Sequence, residues 1–342
     1  IGRMAGVPIP LQPMRHQYAH TEPIPELSAV TEEFQDPILR DQDAAIYMRQ
    51  RKDHYVIGSY KHEPLSVEAD NILSWKDSRI MPSMMEWKDD IFQPGLNSAL
   101  ELIPCLKGKG LTRKINGMFS FTPDGMPLLG ESPQVRGFWM AEAVWITHSA
   151  GVGKSLAEWM VDGSPSSDMR ECDISRFHLH SQSRPYIRTR AAQQYIEVYD
   201  IIHPLQQSKS PREMRLSPFY SREKDLDAVF FESAGWERPQ WYESNQKLLR
   251  ETIHTPKSRS GWEALNWSPI TIAEHLATRE HVGMFDLTSY TKLEISGPGA
   301  TKFLQYVTAN EIERPVGKVT YTSMLNNRGG IKCDLTVTRL KP

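Results

Sequence analysis

Apolar and polar positions along this chain alternate in short runs that predict many brief elements. Residues 17–24 read as extended, and 22–25 break the pattern. Two further strand-like runs, 45–51 and 55–60, flank the polar pair Lys52-Asp53, which predicts a hairpin. Leu96, Ala99, Leu100 and Ile103 fall at helical spacing, and Pro104 stops that stripe. Residues 116–121 predict a strand that runs into the turn Thr122-Pro123-Asp124-Gly125. Residues 138–145 read as a buried strand, and 155–161 as a helix with Gly163 as its C-terminal stop.

The pattern then loosens. Residues 164–183 are polar and irregular, and 184–218 are basic and broken by prolines. Tyr195, Val198, Tyr199 and Ile202 still form an apolar stripe, so this stretch reads as a connector packed on its neighbours. A new unit begins near Ser217. Its clearest helix starts at Ser268-Pro269, with Ser as N-cap; Thr271 and Glu274 offer a competing capping box. Residues 292–296 alternate as a half-buried strand does, while 321–325 and 331–339 predict a hairpin around 326–330. A sheet interrupted there has no closing partners in the sequence, so the last domain is expected to be truncated.

Composition narrows the function classes. The 342 residues suggest about two domains with cores of their own, and the nine Trp and 24 Pro argue for a loop-rich globular chain. A formal charge of −2, with no basic stripe, gives no footprint for nucleic acid. No apolar run approaches the roughly 20 residues that cross a bilayer, so no membrane partner is expected. Residues 1–12 lack the basic start and cleavage site of a signal peptide. Cys105, Cys172 and Cys333 are scattered and odd in number, which argues against disulfides and structural zinc. A reducing, intracellular compartment, cytoplasmic or mitochondrial, is expected.

The candidate chemistry is sparse. Ala150-Gly-Val-Gly-Lys-Ser155 resembles a phosphate loop, but His148 stands where its first glycine belongs, so the phosphate cradle is not made. Read as strand, small-residue turn and helix, the segment would still aim backbone N–H groups at a ligand; a plain packing turn is the alternative. His16 and Tyr47 are polar residues in strand-like segments where an apolar residue would be unremarkable. Alternation puts Arg49 and Arg51 on the face of Tyr47, a face suited to a carboxylate or to solvent. His178 and His180, with Cys172 and Asp173 upstream, match no familiar ligand spacing, so a surface turn and no metal are expected.

Several longer motifs occur in order. They include His16-Gln17-Tyr18, Gly58-Ser59-Tyr60, Phe119-Ser-Phe-Thr-Pro-Asp-Gly125 and Pro127-Leu-Leu-Gly-Glu-Ser132. Ala141-Glu-Ala-Val-Trp145, Thr147-His-Ser-Ala-Gly-Val152, Ala234-Gly-Trp-Glu-Arg-Pro239 and Ser296-Gly-Pro-Gly-Ala300 follow. Together they resemble the family of dimethylglycine oxidase and the dimethylglycine and sarcosine dehydrogenases, over essentially the whole chain. The resemblance implies a mixed α/β and α+β multidomain fold. Residues 1–165 would be the substrate part of a D-amino-acid-oxidase-like FAD domain, 166–220 a central connector, and 221–342 the start of an aminomethyltransferase-like folate domain. In the family, the FAD phosphate loop and covalent attachment histidine precede the segment matching Ile1, and the folate domain's catalytic acid follows Pro342.

The implied activity is FAD-dependent oxidative demethylation of sarcosine or dimethylglycine, with the carbon passed to tetrahydrofolate. His16 matches the family's active-site histidine and Tyr47 its active-site tyrosine. Val144, Trp145, Ile146 and Thr147 match the stretch lining the flavin, with Ile146 where valine is usual. The partner would be a small N-methylated glycine, joined by an electron-transfer flavoprotein in the dehydrogenase case. A rival of another class is a non-catalytic regulatory subunit of pyruvate dehydrogenase phosphatase with the same layout. A folate-only aminomethyltransferase explains nothing before Ser217.

Overall fold

The computed structural model describes residues 1–251, 257 and 259–342. Its contacts divide the chain into two compact units, Ile1–Asp286 and Leu287–Pro342. In the first, a five-stranded antiparallel sheet is built from β1 (Gln12–Thr21), β2 (Leu39–Asp41), β3 (Ile46–Arg51), β4 (His54–Ser59) and β5 (Leu111–Phe121). The strand order is β2-β3-β4-β1-β5. The predicted hairpin is β3–β4, with Arg51 opposite His54 across Lys52-Asp53 and Lys52 in the left-handed region. β1 begins earlier than the hydrophobic pattern suggests. Pro13, which cannot donate to a ladder, lies outside the β1–β4 pairing that runs from Gln17 to His20.

Alternation gives this sheet two different faces. Ala19, Ile46, Met48 and Ile57 point to one side and pack with Phe92 and Ala99 of the helix Asp89–Leu102. The predicted stripe lies on that helix. The opposite face carries Met14 and Phe121, which pack with Ala191 and Tyr195 of a second helix, Arg184–Glu197. The connector is therefore ordered, and it roofs the sheet. Arg184 reaches back to the carbonyl of Leu11 at 3.0 Å, and the Arg40 guanidinium hydrogen-bonds the carbonyl of Val198.

β6 (Leu128–Glu131) and β7 (Trp139–Glu142) form a separate two-stranded ladder, whose Leu128 and Met140 pack with Val7 and Ile174. Here the reading of 138–145 as one buried strand is corrected. The ladder ends at Glu142 because Ala143 and Trp145 both take positive φ, and only Met140 of β7 is buried. The following helix is also longer than the pattern predicts. It runs Trp145–Asp162, so the glycines at 151 and 153 lie within helix and not in a turn. Gly163 does end it, at φ +79 in the left-handed conformation expected of a C-terminal stop.

β8 (Ala228–Ser233) and β9 (Trp236–Tyr242) pair as a hairpin, and the helix Ile270–Glu280 packs on β9. The helix starts one residue later than predicted, with Pro269 and not Ser268 in the N-cap position, and the Ser268 hydroxyl accepts from the Ile270 N–H at 3.3 Å. The second unit contains the helix Ala300–Val307 and the predicted hairpin, β10 (Val319–Leu325) with β11 (Ile331–Thr338). Asn326 closes it by accepting from the backbone of Arg328 and Gly330. Residues 292–296 are not a strand: they are exposed and have no pairing partner among the described residues. Lys292 instead turns its ammonium onto the carbonyls of Thr288 and Tyr290.

Candidate active site

The roofed face of the large sheet holds a patch of aromatic rings. His16 on β1 is 5% exposed. Its cross-strand partner on β5 is Gly117, and at that glycine an added Cβ would meet nothing within 4 Å. The sheet face at Gly117, next to His16, is therefore open. Tyr47 stands on β3, two strands from β1. The intervening β4 residue is Gly58, and a Cβ there would fall inside the Tyr47 ring. With only a hydrogen at Gly58, the phenol lies across β4 and its hydroxyl comes 2.9 Å from His16 Nε2.

Rings close around this pair. Tyr60 lies 4.3 Å and Phe119 5.0 Å from His16 between centroids. Tyr18 and Tyr199 stack on Tyr47 at 6.3 and 6.1 Å. Tyr195, fully buried on the roofing helix, places its hydroxyl 3.5 Å from His16 Nδ1 and 3.0 Å from His62 Nε2. Burial among these rings lowers the His16 pKa to about 3, with the neighbouring His62 adding to the effect. It pushes the Tyr47, Tyr60 and Tyr195 hydroxyls well above their ordinary range. At neutral pH His16 is thus a neutral base and Tyr47 a protonated donor.

The flavin-lining candidates stand nearby in part. Trp145 packs on Phe119 at 6.1 Å and edge-on against Phe121 at 5.3 Å, and its indole N–H donates to the Ser120 carbonyl at 3.1 Å. Phe119 therefore bridges Trp145 to His16. Val144 is half-buried, while Ile146 and Thr147 are exposed on the first turn of the helix, Ile146 at 93%. That turn has no side-chain cap, so its first N–H groups are free. Arg49 lies over the Phe34 ring at 3.3 Å, and Arg51 pairs with Glu33, so neither is engaged with His16. His178 and His180 stack on one another, and no cluster of metal-binding groups occurs among the described residues.

Sequence reasoning missed His62, Tyr60, Tyr195 and Tyr199 as site residues. The signal for two of them was present: Tyr195 and Tyr199 are four apart, the spacing that puts side chains on one helical face. What covers that face was not readable.

Residues 1–159 match the FAD dependent oxidoreductase family, 162–217 the FAD dependent oxidoreductase central domain, and 219–342 the GCVT N-terminal domain. Among curated proteins, the chain is 30% identical to mitochondrial sarcosine dehydrogenase of Mus musculus, covering 100% of this chain and 38% of that protein. It is 31% identical to mitochondrial dimethylglycine dehydrogenase of Mus musculus, with coverage of 100% and 38%. The mitochondrial pyruvate dehydrogenase phosphatase regulatory subunit of Mus musculus is 32% identical, with coverage of 97% and 37%. The chain thus spans less than two fifths of the length of each of these relatives.

Proposed function

The chain belongs to the FAD-dependent oxidoreductases of the sarcosine and dimethylglycine dehydrogenase kind, which join a flavin fold to a central domain and a GCVT-like domain, and from that premise we propose that it serves the oxidative N-demethylation of a small N-methylated glycine. The observation that carries this reading is the buried His16–Tyr47 pair beside open space at Gly117. The division into 1–165, 166–220 and 221–342 is part of the same reading.

The reaction needs a neutral amine. A protonated ammonium has no lone pair to stabilise the iminium that forms as hydride leaves the N-methyl carbon. A charged ammonium is also costly among the rings around His16, so the pocket favours the amine free of its proton. His16, neutral and buried, takes or relays that proton, and Tyr47 orients the substrate by hydrogen bonding.

The residues at hand fit FAD. The uncapped start of the Trp145–Asp162 helix offers free N–H groups next to a wall of flat rings, and Ile146, Thr147 and the small residues Ser149, Ala150, Gly151 and Gly153 leave its first turns open. Val144, Trp145, Ile146 and Thr147 would line the ring system there. Bound FAD supplies the two-electron acceptor. The GCVT-like region, by the same reading, would bring tetrahydrofolate to capture the one-carbon unit before it hydrolyses.

In the FAD-loaded full-length protein, His16→Ala should slow flavin bleaching by sarcosine or dimethylglycine by about 10²-fold or more while FAD stays bound. Unchanged kinetics would remove His16 from the chemistry. The similarity to a phosphatase regulatory subunit supports a second, non-catalytic reading. The assembled His16–Tyr47 pair favours the enzyme, and a purified protein that shows no flavin spectrum would favour the regulator.

A further inference from the structure

The hydrogen bonds at His16 continue past it. Tyr195 links His16 Nδ1 to His62 Nε2, and His62 Nδ1 lies 2.7 Å from the carbonyl oxygen of Glu63. That last contact sets the direction of all the others. A carbonyl only accepts, so neutral His62 carries its proton on Nδ1 and presents a lone pair at Nε2. Tyr195 then donates to His62, and its oxygen accepts from His16 Nδ1–H. The His16 lone pair is left on Nε2, where the Tyr47 hydroxyl donates at 2.9 Å. A backbone carbonyl at the exposed residue Glu63 thus determines the tautomer of an imidazole buried under the roofing helix.

We propose that Tyr47, His16, Tyr195 and His62 form a proton relay that carries the substrate's ammonium proton from the buried site to solvent, with Tyr195 and His62 as positioning and exit residues. The proposal rests on the reading of the site given above. The substrate N–H bond breaks and its proton bonds to the Tyr47 oxygen. The Tyr47 proton passes to His16 Nε2, the His16 Nδ1 proton to the Tyr195 oxygen, and the Tyr195 proton to His62 Nε2. The amine keeps its electron pair, the three inner groups end neutral, and His62 becomes an imidazolium that releases one proton to water. The chain resets when the two hydroxyls rotate and His16 exchanges its proton, losing the one on Nε2 and regaining one on Nδ1, with no net change in charge.

Burial explains why the proton moves on. His16 among its rings cannot hold a positive charge at neutral pH, whereas His62 is only half-buried and reaches water. The titratable and charged groups facing the chain are Tyr18 and Tyr199 at Tyr47, Tyr60 at His16, Arg40 over the Tyr199 ring, and Glu63 beside His62. Burial holds the His62 pKa below its ordinary value, and the carbonyl and carboxylate of Glu63 only partly oppose this, so an imidazolium formed there gives its proton up to water.

The test uses the FAD-loaded full-length protein with Tyr195→Phe and His62→Gln, both of which keep much of the side-chain volume. Nitrogen-15 NMR of the imidazoles, without substrate, should find His16 and His62 protonated on Nδ1, and Tyr195→Phe should release His16 from that tautomer. In single-turnover bleaching with sarcosine, both variants should be slowed tenfold or more at pH 7. The deficit should shrink as pH rises toward the amine's own pKa, where substrate arrives without its proton. His16 found protonated on Nε2 overturns the relay, and so do wild-type pH profiles in both variants. If those profiles appear while His16→Ala is still slow, the reading of the site survives the loss of the relay; a normal His16→Ala removes both.

Discussion

His16 shows how far one side chain's chemistry is set by its surroundings. Its depressed pKa means that the folded chain keeps it neutral where the unfolded chain would protonate it. Between pH 6.5 and about 3 the unfolded state therefore binds the extra proton. This contribution is fully present above pH 6.5 and is lost as pH falls toward 3. His20, His62 and His180 are also held below their ordinary value, so acid destabilises the wild type at several points. His16→Gln removes one of them. Between pH 7 and pH 5 the variant should lose about 1–2 kcal/mol less stability than the wild type, read from urea midpoints at the two pH values. Equal losses in the two proteins would mean that His16 is charged in the fold. The residue type at position 16 was legible in the sequence, but the shift is not, because it comes from Tyr60, Phe119, Tyr47 and Tyr195 arriving from four other segments.

Among the elements, the sheet is where the site becomes possible. Three strands must keep register for Tyr47 to reach His16, and the middle strand must have no side chain at the crossing. Gly58→Ala puts a methyl group inside the Tyr47 ring position, so the phenol must swing away from His16. The expected cost is about 1–3 kcal/mol in stability, together with a drop in bleaching rate that approaches that of Tyr47→Phe. A denaturation midpoint and single-turnover kinetics check both. The hairpin, the Asp89–Leu102 helix and Gly163 followed from periodicity and turn chemistry because each is a local rule. The helix starting at Trp145 did not. Its first three turns hold glycines and exposed small residues, which read as a turn, yet they propagate as helix from a nucleus that the pattern placed further on. The correction shifts the free N–H groups to Trp145 and its successors, next to Phe119.

For the first unit as a whole, stretches matching three family regions share one set of contacts. The Arg184–Glu197 helix gives Tyr195 to the His16 site and, one turn earlier, Arg190 to Glu232 of β8 at 3.0 Å. Both partners of this ion pair are largely buried, at 4% and 13% side-chain exposure. Breaking such a pair leaves a charge without its counterpart, so Arg190→Ala should destabilise the unit by about 3–5 kcal/mol. A double-mutant cycle with Glu232→Gln should return a coupling above about 1 kcal/mol, measured by chemical denaturation. A coupling near zero would mean that the two elements are held by packing alone.

The sequence by itself determined the β3–β4 and β10–β11 hairpins and the Asp89–Leu102 helix, and its motifs implied, by resemblance, the mixed architecture and the two polar residues that meet on the roofed face. Those are consequences of periodicity, turn residues and motif order, all of which act over a few neighbouring positions. Only the tertiary structure decided that a connector helix roofs the sheet, that Gly58 lets Tyr47 cross to His16, and that Tyr195 and His62 continue the hydrogen-bonded chain. Those facts depend on which distant segments share a face, and buried groups draw their charge state and tautomer from such neighbours rather than from their own place in the chain.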